Sequence, residues 1–289
     1  MLKNKYLGVI YIIFSAFCFS LMNMCVQLSG DVPFIQKTFF RNFVAVICAV
    51  FVMLKQGISW KPERNENIPF LIIRSLCGTV GIFGNFYALG HLLLADASML
   101  NKMSPFFAVV FSFIFLKEKM SFFQITAVIV SFIGSLFIIK PTFANVALFP
   151  ALAGLVGGMG AGAAYTTVRV LGKRGEKGPY IVFFFSAFSC LVVLPYLLFN
   201  FSPMTLFQLL VLIGAGVAAA GGQFAITAAY CYAPAREISI FDYTQIIFAS
   251  LLGFVMFGQI PDVWSVVGYV IICSMAIAMF FLYGKKIIF

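Results

Sequence analysis

Five ionisable side chains lie inside stretches that are otherwise apolar: Lys37, Arg41, Arg74, Lys102 and Asp242. A charge at a helix centre in lipid costs roughly 2.5–3.5 kcal/mol on the insertion scale, so each needs a reason to be there. Two of them belong to a repeated unit. The segment from Ala95 to Glu118 contains Asp96, Asn101-Lys102 and Ser104-Pro105. Shifted by 141 positions, Arg236 to Gln259 sets Glu237 over Asp96, Asp242 over Asn101, Tyr243 over Lys102 and Gln245 over Ser104. Lys102 and Asp242 are therefore charges of opposite sign on repeat-related helices, each about 6–8 Å from a membrane face at 1.5 Å per residue. They either pair to hold two helices together or line a cavity for a substrate or a coupling ion. Asn101, Tyr243 and Gln245 beside them can orient a small polar ligand by hydrogen bonds.

Lys37 and Arg41 share a helix face at i,i+4 spacing. Arg41 lies about 12 Å inside its run, too deep for easy snorkelling, whereas Lys37 at about 6 Å and Arg74 at about 9 Å can still reach an interface. Positive charges side by side call for an anion. Asn23 and Tyr165, at corresponding places in the two halves, complete the candidate substrate-binding set of Lys102, Asn101, Arg41, Lys37, Asp242, Tyr243, Gln245, Asn23 and Tyr165. Asp96 and Glu237 stand at helix starts, where capping accounts for a carboxylate. Asn85 and Gln223 are mid-membrane amides suited to helix–helix bonding as well as to binding.

The elements that position these residues follow from composition. Of 289 residues, 63% are hydrophobic and 10% charged, with a mean hydropathy of +1.07. Soluble domains are about half apolar and a quarter charged, so the solvent must be lipid. Ten apolar runs are long enough to cross it. The first half supplies 6–28, 33–54, 68–94, 97–116 and 122–139; the second supplies 148–171, 179–199, 205–232, 238–257 and 263–283. Run length and the lack of period-2 alternation predict helices, not a barrel. The first run lacks a small-x-small cleavage site and reads as a span, not a signal peptide.

Fourteen of the 19 Lys and Arg flank the runs on one side, and Lys140 alone flanks them on the other. The positive-inside rule then puts both termini in the cytoplasm, in a cytoplasmic membrane. The net charge of +10 is explained the same way, without nucleic acid. Five runs per half is an odd number, so the second half enters the membrane upside down. The fold class is an all-α membrane protein of ten transmembrane helices, built as two inverted five-helix repeats, residues 1–141 and 148–289. Such repeats meet at a mid-depth site.

Two five-helix halves, with Leu116-Lys117-Glu118 closing a helix that follows Ser104-Pro105, resemble the EamA family of the drug/metabolite transporter superfamily. The resemblance spans essentially the whole chain. It implies a ten-helix carrier with helices 5 and 10 peripheral and a central cavity lined by the others. Ile246 stands where the family's second-half proline falls and Gln259 where its acidic residue falls, so helices 4 and 9 need not kink alike.

Two function classes follow. One is a secondary carrier moving a small polar metabolite, with an anionic group such as that of an amino acid or organic acid, by alternating access. The other is an intramembrane enzyme acting on lipid or peptide. An enzyme would need a nucleophile–base or metal constellation, yet His91 is the one histidine and none of the seven cysteines forms a CxxC pair. A carrier without catalytic, metal or cofactor sites is expected. Its partners are the substrate, membrane lipid and, where transport is coupled, a proton or ion, with a monomer and a homodimer both compatible. Gly154, Gly158 and Gly162 form a double GxxxG, read as a packing surface and not a phosphate loop.

Overall fold

A computed structural model describes residues 2–116, 121–139, 147–232, 241–279 and 281. The elements are α1 (Leu2–Leu28), α2 (Phe34–Gln56), α3 (Ile68–Leu89), α4 (Leu94–Asn101), α5 (Ser104–Leu116), α6 (Phe122–Ile139), α7 (Leu148–Lys173), α8 (Gly178–Phe199), α9 (Leu206–Tyr232), α10 (Thr244–Phe257) and α11 (Val263–Met279). With α4 and α5 counted as one broken helix, ten helices stand among the described residues, and no strand accompanies them. Six of them (α1, α2, α3, α7, α8 and α9) are long and apolar enough to span a bilayer by themselves; α6, α10 and α11 contain shorter apolar runs.

Burial is inverted relative to a soluble protein. Phe51, Leu198, Phe199 and Ile247 are exposed at 67–85%, while Ser15, Ser20, Asn42, Ser98 and Asp242 are fully buried. Outward apolar side chains cost nothing against lipid tails, and inward polar ones find partners only in the bundle. Multiple apolar helices arranged in this way make a multi-pass membrane protein.

The two broadest helix interfaces are α3 against α7 and α1 against α9. Missing side chains close the first. A Cβ on Gly84 would lie 2.3 Å from the Ala153 carbonyl oxygen and 2.8 Å from Gly157 Cα, and one on Gly160 would lie 2.7 Å from the Cys77 carbonyl oxygen. The backbones touch because nothing stands between them. In the second, Phe19 lies over Gly222, whose carbonyl accepts a hydrogen bond from Ser15 Oγ at 2.9 Å. Further out, α2 packs on α8, α6 on α11, α5 on α7 and α10 on α1. Polar ties join the two halves near the helix ends. Gln36 Nε2 donates to the Ser202 carbonyl and Ser202 N donates back to Gln36 Oε1, both at 2.9 Å. Near α7, the Glu176 carboxylate accepts from Asn67 Nδ2 at 2.8 Å and from Glu63 N at 3.3 Å.

The helices carrying the polar pair both break. Turn conformation interrupts the first at Lys102–Met103 and the other at Tyr243. At the first break Pro105 has no N–H to continue the ladder. Ile246 has one, and it donates to the Tyr243 carbonyl at 3.0 Å, three residues back, closing a tight turn. The second half thus breaks without a proline. The two breaks brace each other: Tyr243 OH donates to the Lys102 carbonyl at 3.0 Å, a backbone oxygen at the end of α4.

Candidate functional site

The breaks sit beside a cavity that opens between the halves. It holds about 570 Å³ of atom-free space, its mouth included. Phe19, Met22 and Asn23 of α1, Arg41 of α2, Arg74, Gly78 and Asn85 of α3, Asn101 and Lys102 at the α4 break, Tyr165 of α7, Phe185 of α8, Gln223 of α9 and Gln245 of α10 border it. No lining residue comes from α6 or α11, which lie against each other at the periphery. That is the arrangement the resemblance implies.

Six of the nine sequence-derived candidates, Asn23, Arg41, Asn101, Lys102, Tyr165 and Gln245, line this one cavity. Asp242 and Tyr243 join through Lys102. Asp242 Oδ2 lies 2.6 Å from Lys102 Nζ, with the two side chains 0% and 2% exposed. Asp242 Oδ1 finds no hydrogen-bond donor among the described residues. Lys37 stands apart. Its ammonium donates to the carbonyls of Gly30 at 2.7 Å and Val26 at 3.1 Å, so it closes the C-terminal end of α1, where a cation suits the helix dipole.

The arginines dominate the electrostatics. Arg41 and Arg74 are both 2% exposed. Their Cζ atoms stand 5.5 Å and 3.9 Å from the centroid of the same Phe185 ring. Arg41 spends Nη1 on Asn42 Oδ1 and Nη2 on Gln223 Oε1, the latter at 3.4 Å. Asn42 is fixed through Nδ2 to the Thr38 carbonyl, and Gln223 through Nε2 to Thr227 Oγ1. Both acceptors are neutral amides. The Nε of each arginine lacks an acceptor, and neither arginine pairs with a carboxylate among the described residues. Gly78 makes room for them, since a Cβ there would lie 2.3 Å from Arg74 Nη1 and 2.7 Å from Phe185 Cε2.

Uncharged groups fill the other walls. Asn85 Nδ2 donates to Asn23 Oδ1, and Asn23 Nδ2 to Ser98 Oγ, both at 3.2 Å. Tyr165 stacks on Tyr230 with centroids 5.1 Å apart. Asp96, in the first turn of α4, also accepts from Tyr269 OH at 2.6 Å. The N-terminus of α4 is capped from the other half: Leu94 N donates to Gln259 Oε1 at 2.9 Å. Glu237 lies outside the described residues. No group of three His, Cys, Asp or Glu suited to a metal occurs among the described residues.

By depth alone Arg74 can reach an interface, and nothing in the spacing brings Phe185 forward. The one usable signal was that Arg74, Gly78 and Gly81 recur at helical spacing on one face, charge beside small residues. Phe185 carried none, being one phenylalanine among 37.

The EamA-like transporter family profile matches residues 6–140. The pseudopaline exporter CntI of Pseudomonas aeruginosa is 30% identical over 275 residues, covering 94% of this chain and 95% of its own. The chain belongs to the EamA-like transporter family. Human solute carrier family 35 member G1 is 26% identical over 280 residues, 91% of this chain and 75% of its own. A solved crystal structure superposes with a TM-score of 0.71 over 96% of this chain and 98% of that one, at 15% identity, which speaks to the shared fold. Relatives named as transporters over nearly the full length make this EamA-family protein a membrane transporter of a small molecule and not an enzyme.

Proposed function

We propose that this transporter is a secondary carrier in the cytoplasmic membrane that moves a small polar metabolite bearing an anionic group by alternating access. The observation that carries the reading is the pair of buried guanidiniums, Arg41 and Arg74, in one cavity with no described carboxylate to neutralise them. Unpaired buried charge is costly unless water or a counter-ion reaches it. A guanidinium also presents a planar fork of donors matched to an oxyanion. Asn23, Asn85, Asn101, Tyr165, Gln223 and Gln245 supply hydrogen-bonding groups for the rest of the ligand.

Alternating access follows from reading residues 1–141 and 148–289 as inverted repeats. The packing partners support this reading. Exchanging each helix for its counterpart turns the α3–α7 contact into α9–α1, turns α5–α7 into α10–α1, and leaves α2–α8 and α6–α11 unchanged. The charge asymmetry supports cytoplasmic termini. The relative named an exporter supports outward movement. Where transport is coupled to protons, Asp242, buried at the second helix break, is the acid we assign to carry one, in exchange for its pairing with Lys102.

The test is transport by purified protein in proteoliposomes over a panel of labelled amino acids, organic acids and organic cations. Uptake or counterflow of acids, lost in Arg41→Gln, is the expected result. Transport of cations alone, unaffected by Arg41→Gln, would overturn the anionic reading.

A further inference from the structure

Resting on the reading of the cavity as an anion site, we propose that the substrate is a dianion, doubly negative overall with its charge on oxygen atoms, received between Arg41 and Arg74 over the Phe185 ring. The argument is one of charge balance at a site where imbalance is expensive. Lys102 and Asp242 face each other at 2.6 Å and cancel. Arg41 and Arg74 remain, and both crowd one aromatic ring. The ring face attracts each cation, but a quadrupole neutralises neither. The side-chain amides of Asn42 and Gln223 solvate the Arg41 charge without removing it. The lining residues among those described thus hold two positive charges in excess.

The two arginines are also unequally occupied. Arg41 has both terminal nitrogens engaged by Asn42 and Gln223, so it is held in place and contributes mostly field. Arg74 makes no hydrogen bond to any described residue and lies against the ring at 3.9 Å. A guanidinium stacked on a ring keeps its N–H edge free in its own plane, where a carboxylate or phosphate binds through two parallel bonds. Arg74 is the direct ligand, and Arg41 supplies the second unit of charge. A zwitterionic amino acid would leave both cations uncompensated, and a monoanion would leave one. A dicarboxylate or a phosphate monoester leaves none.

The experiment is thermal unfolding of the purified protein in detergent at fixed ionic strength with millimolar acetate, succinate, glycerol phosphate, glutamate or lysine, since a ligand that prefers the folded state raises its midpoint. Succinate and glycerol phosphate are expected to raise the midpoint clearly more than acetate, glutamate or lysine. Comparing the two separates carboxylate from phosphate chemistry. Arg74→Gln should weaken dianion binding about 100-fold, the scale of losing one partner of a buried charge pair, and shift preference toward monoanions. Arg74→Lys keeps the charge without the fork, so it should stay dianion-selective at lower affinity, and it serves if the glutamine variant does not fold. If acetate or glutamate matches the dianions, the valence inference fails while the anion carrier stands. If dianion shifts persist undiminished in both Arg74 variants, they reflect general salt exclusion and the site is refuted. If no anion of any valence shifts the midpoint, both the dianion and the anionic reading fall.

Discussion

Asp242 meets Lys102 from the other half of the chain, Oδ2 to Nζ at 2.6 Å, where each of two broken helices turns. Both side chains are almost wholly buried, so either one alone is a stranded charge. Lys102→Met or Asp242→Leu should each destabilise the protein by about 3–5 kcal/mol, and the double variant should recover most of that loss. Melting midpoints of the four proteins test this. Transport should not return with stability, because Lys102 borders the cavity. A stable and fully active double variant would show the pair to be structural only.

Gly78 is where substrate affinity and folding should separate. Its added Cβ would meet side-chain and not backbone atoms, Arg74 Nη1 at the end of a flexible chain and Phe185 Cε2 on a buried ring. Gly78→Ala should therefore lower the melting midpoint less than a backbone clash such as that at Gly84 does, while weakening ligand binding tenfold or more, on the order of the loss of one charge-assisted hydrogen bond. Equal losses in both measurements would speak against Arg74 as the direct ligand.

Gly84 should behave in the opposite way. Its Cβ would strike Ala153 O and Gly157 Cα, backbone atoms of α7 that cannot swing away. Overpacking of this kind costs about 1–3 kcal/mol or more, so Gly84→Ala should lower both yield and melting temperature. Gly214→Ala is the control. Its nearest neighbour would be Cys25 Sγ at 3.9 Å, and the variant should fold normally.

Gln259 caps α4 from the opposite half, a role its amide oxygen performs without charge. Gln259→Leu removes the acceptor of Leu94 N and should cost about 1 kcal/mol. Gln259→Glu is the contrasting variant. It keeps the acceptor and adds a charge favoured at a helix N-terminus. It should melt at or above the parent temperature, and a Glu variant as unstable as the Leu variant would argue against the cap.

Orientation can be read with single cysteines in a cysteine-free background. Sites at Arg64 and Asn200, both exposed, should react with an impermeant maleimide from opposite faces of the membrane, Arg64 from the cytoplasm. Labelling from the same face would refute the inverted repeat.

Composition and run length alone determined the lipid solvent, the helices and their number, because crossing hydrocarbon demands about 20 apolar residues with internally satisfied backbone. The repeat offset likewise brought Lys102 and Asp242 forward as a related pair, since buried charge is rare enough to be noticed. Tertiary structure decided which charges share a cavity. Lys37 and Arg41 lie on one helix face by spacing, yet Lys37 turns to the carbonyls of Gly30 and Val26 while Arg41 turns to Phe185. Arg74 joins Arg41 from a different helix, and Phe185 from a third. The break at Tyr243 needs no proline, because its hydroxyl is held by the Lys102 carbonyl from the other half. Periodicity describes the surface of one helix at a time. How far each helix rotates and how closely it approaches the next are set by packing across the bundle, at contacts such as Gly84 on Gly157 that are remote in the chain.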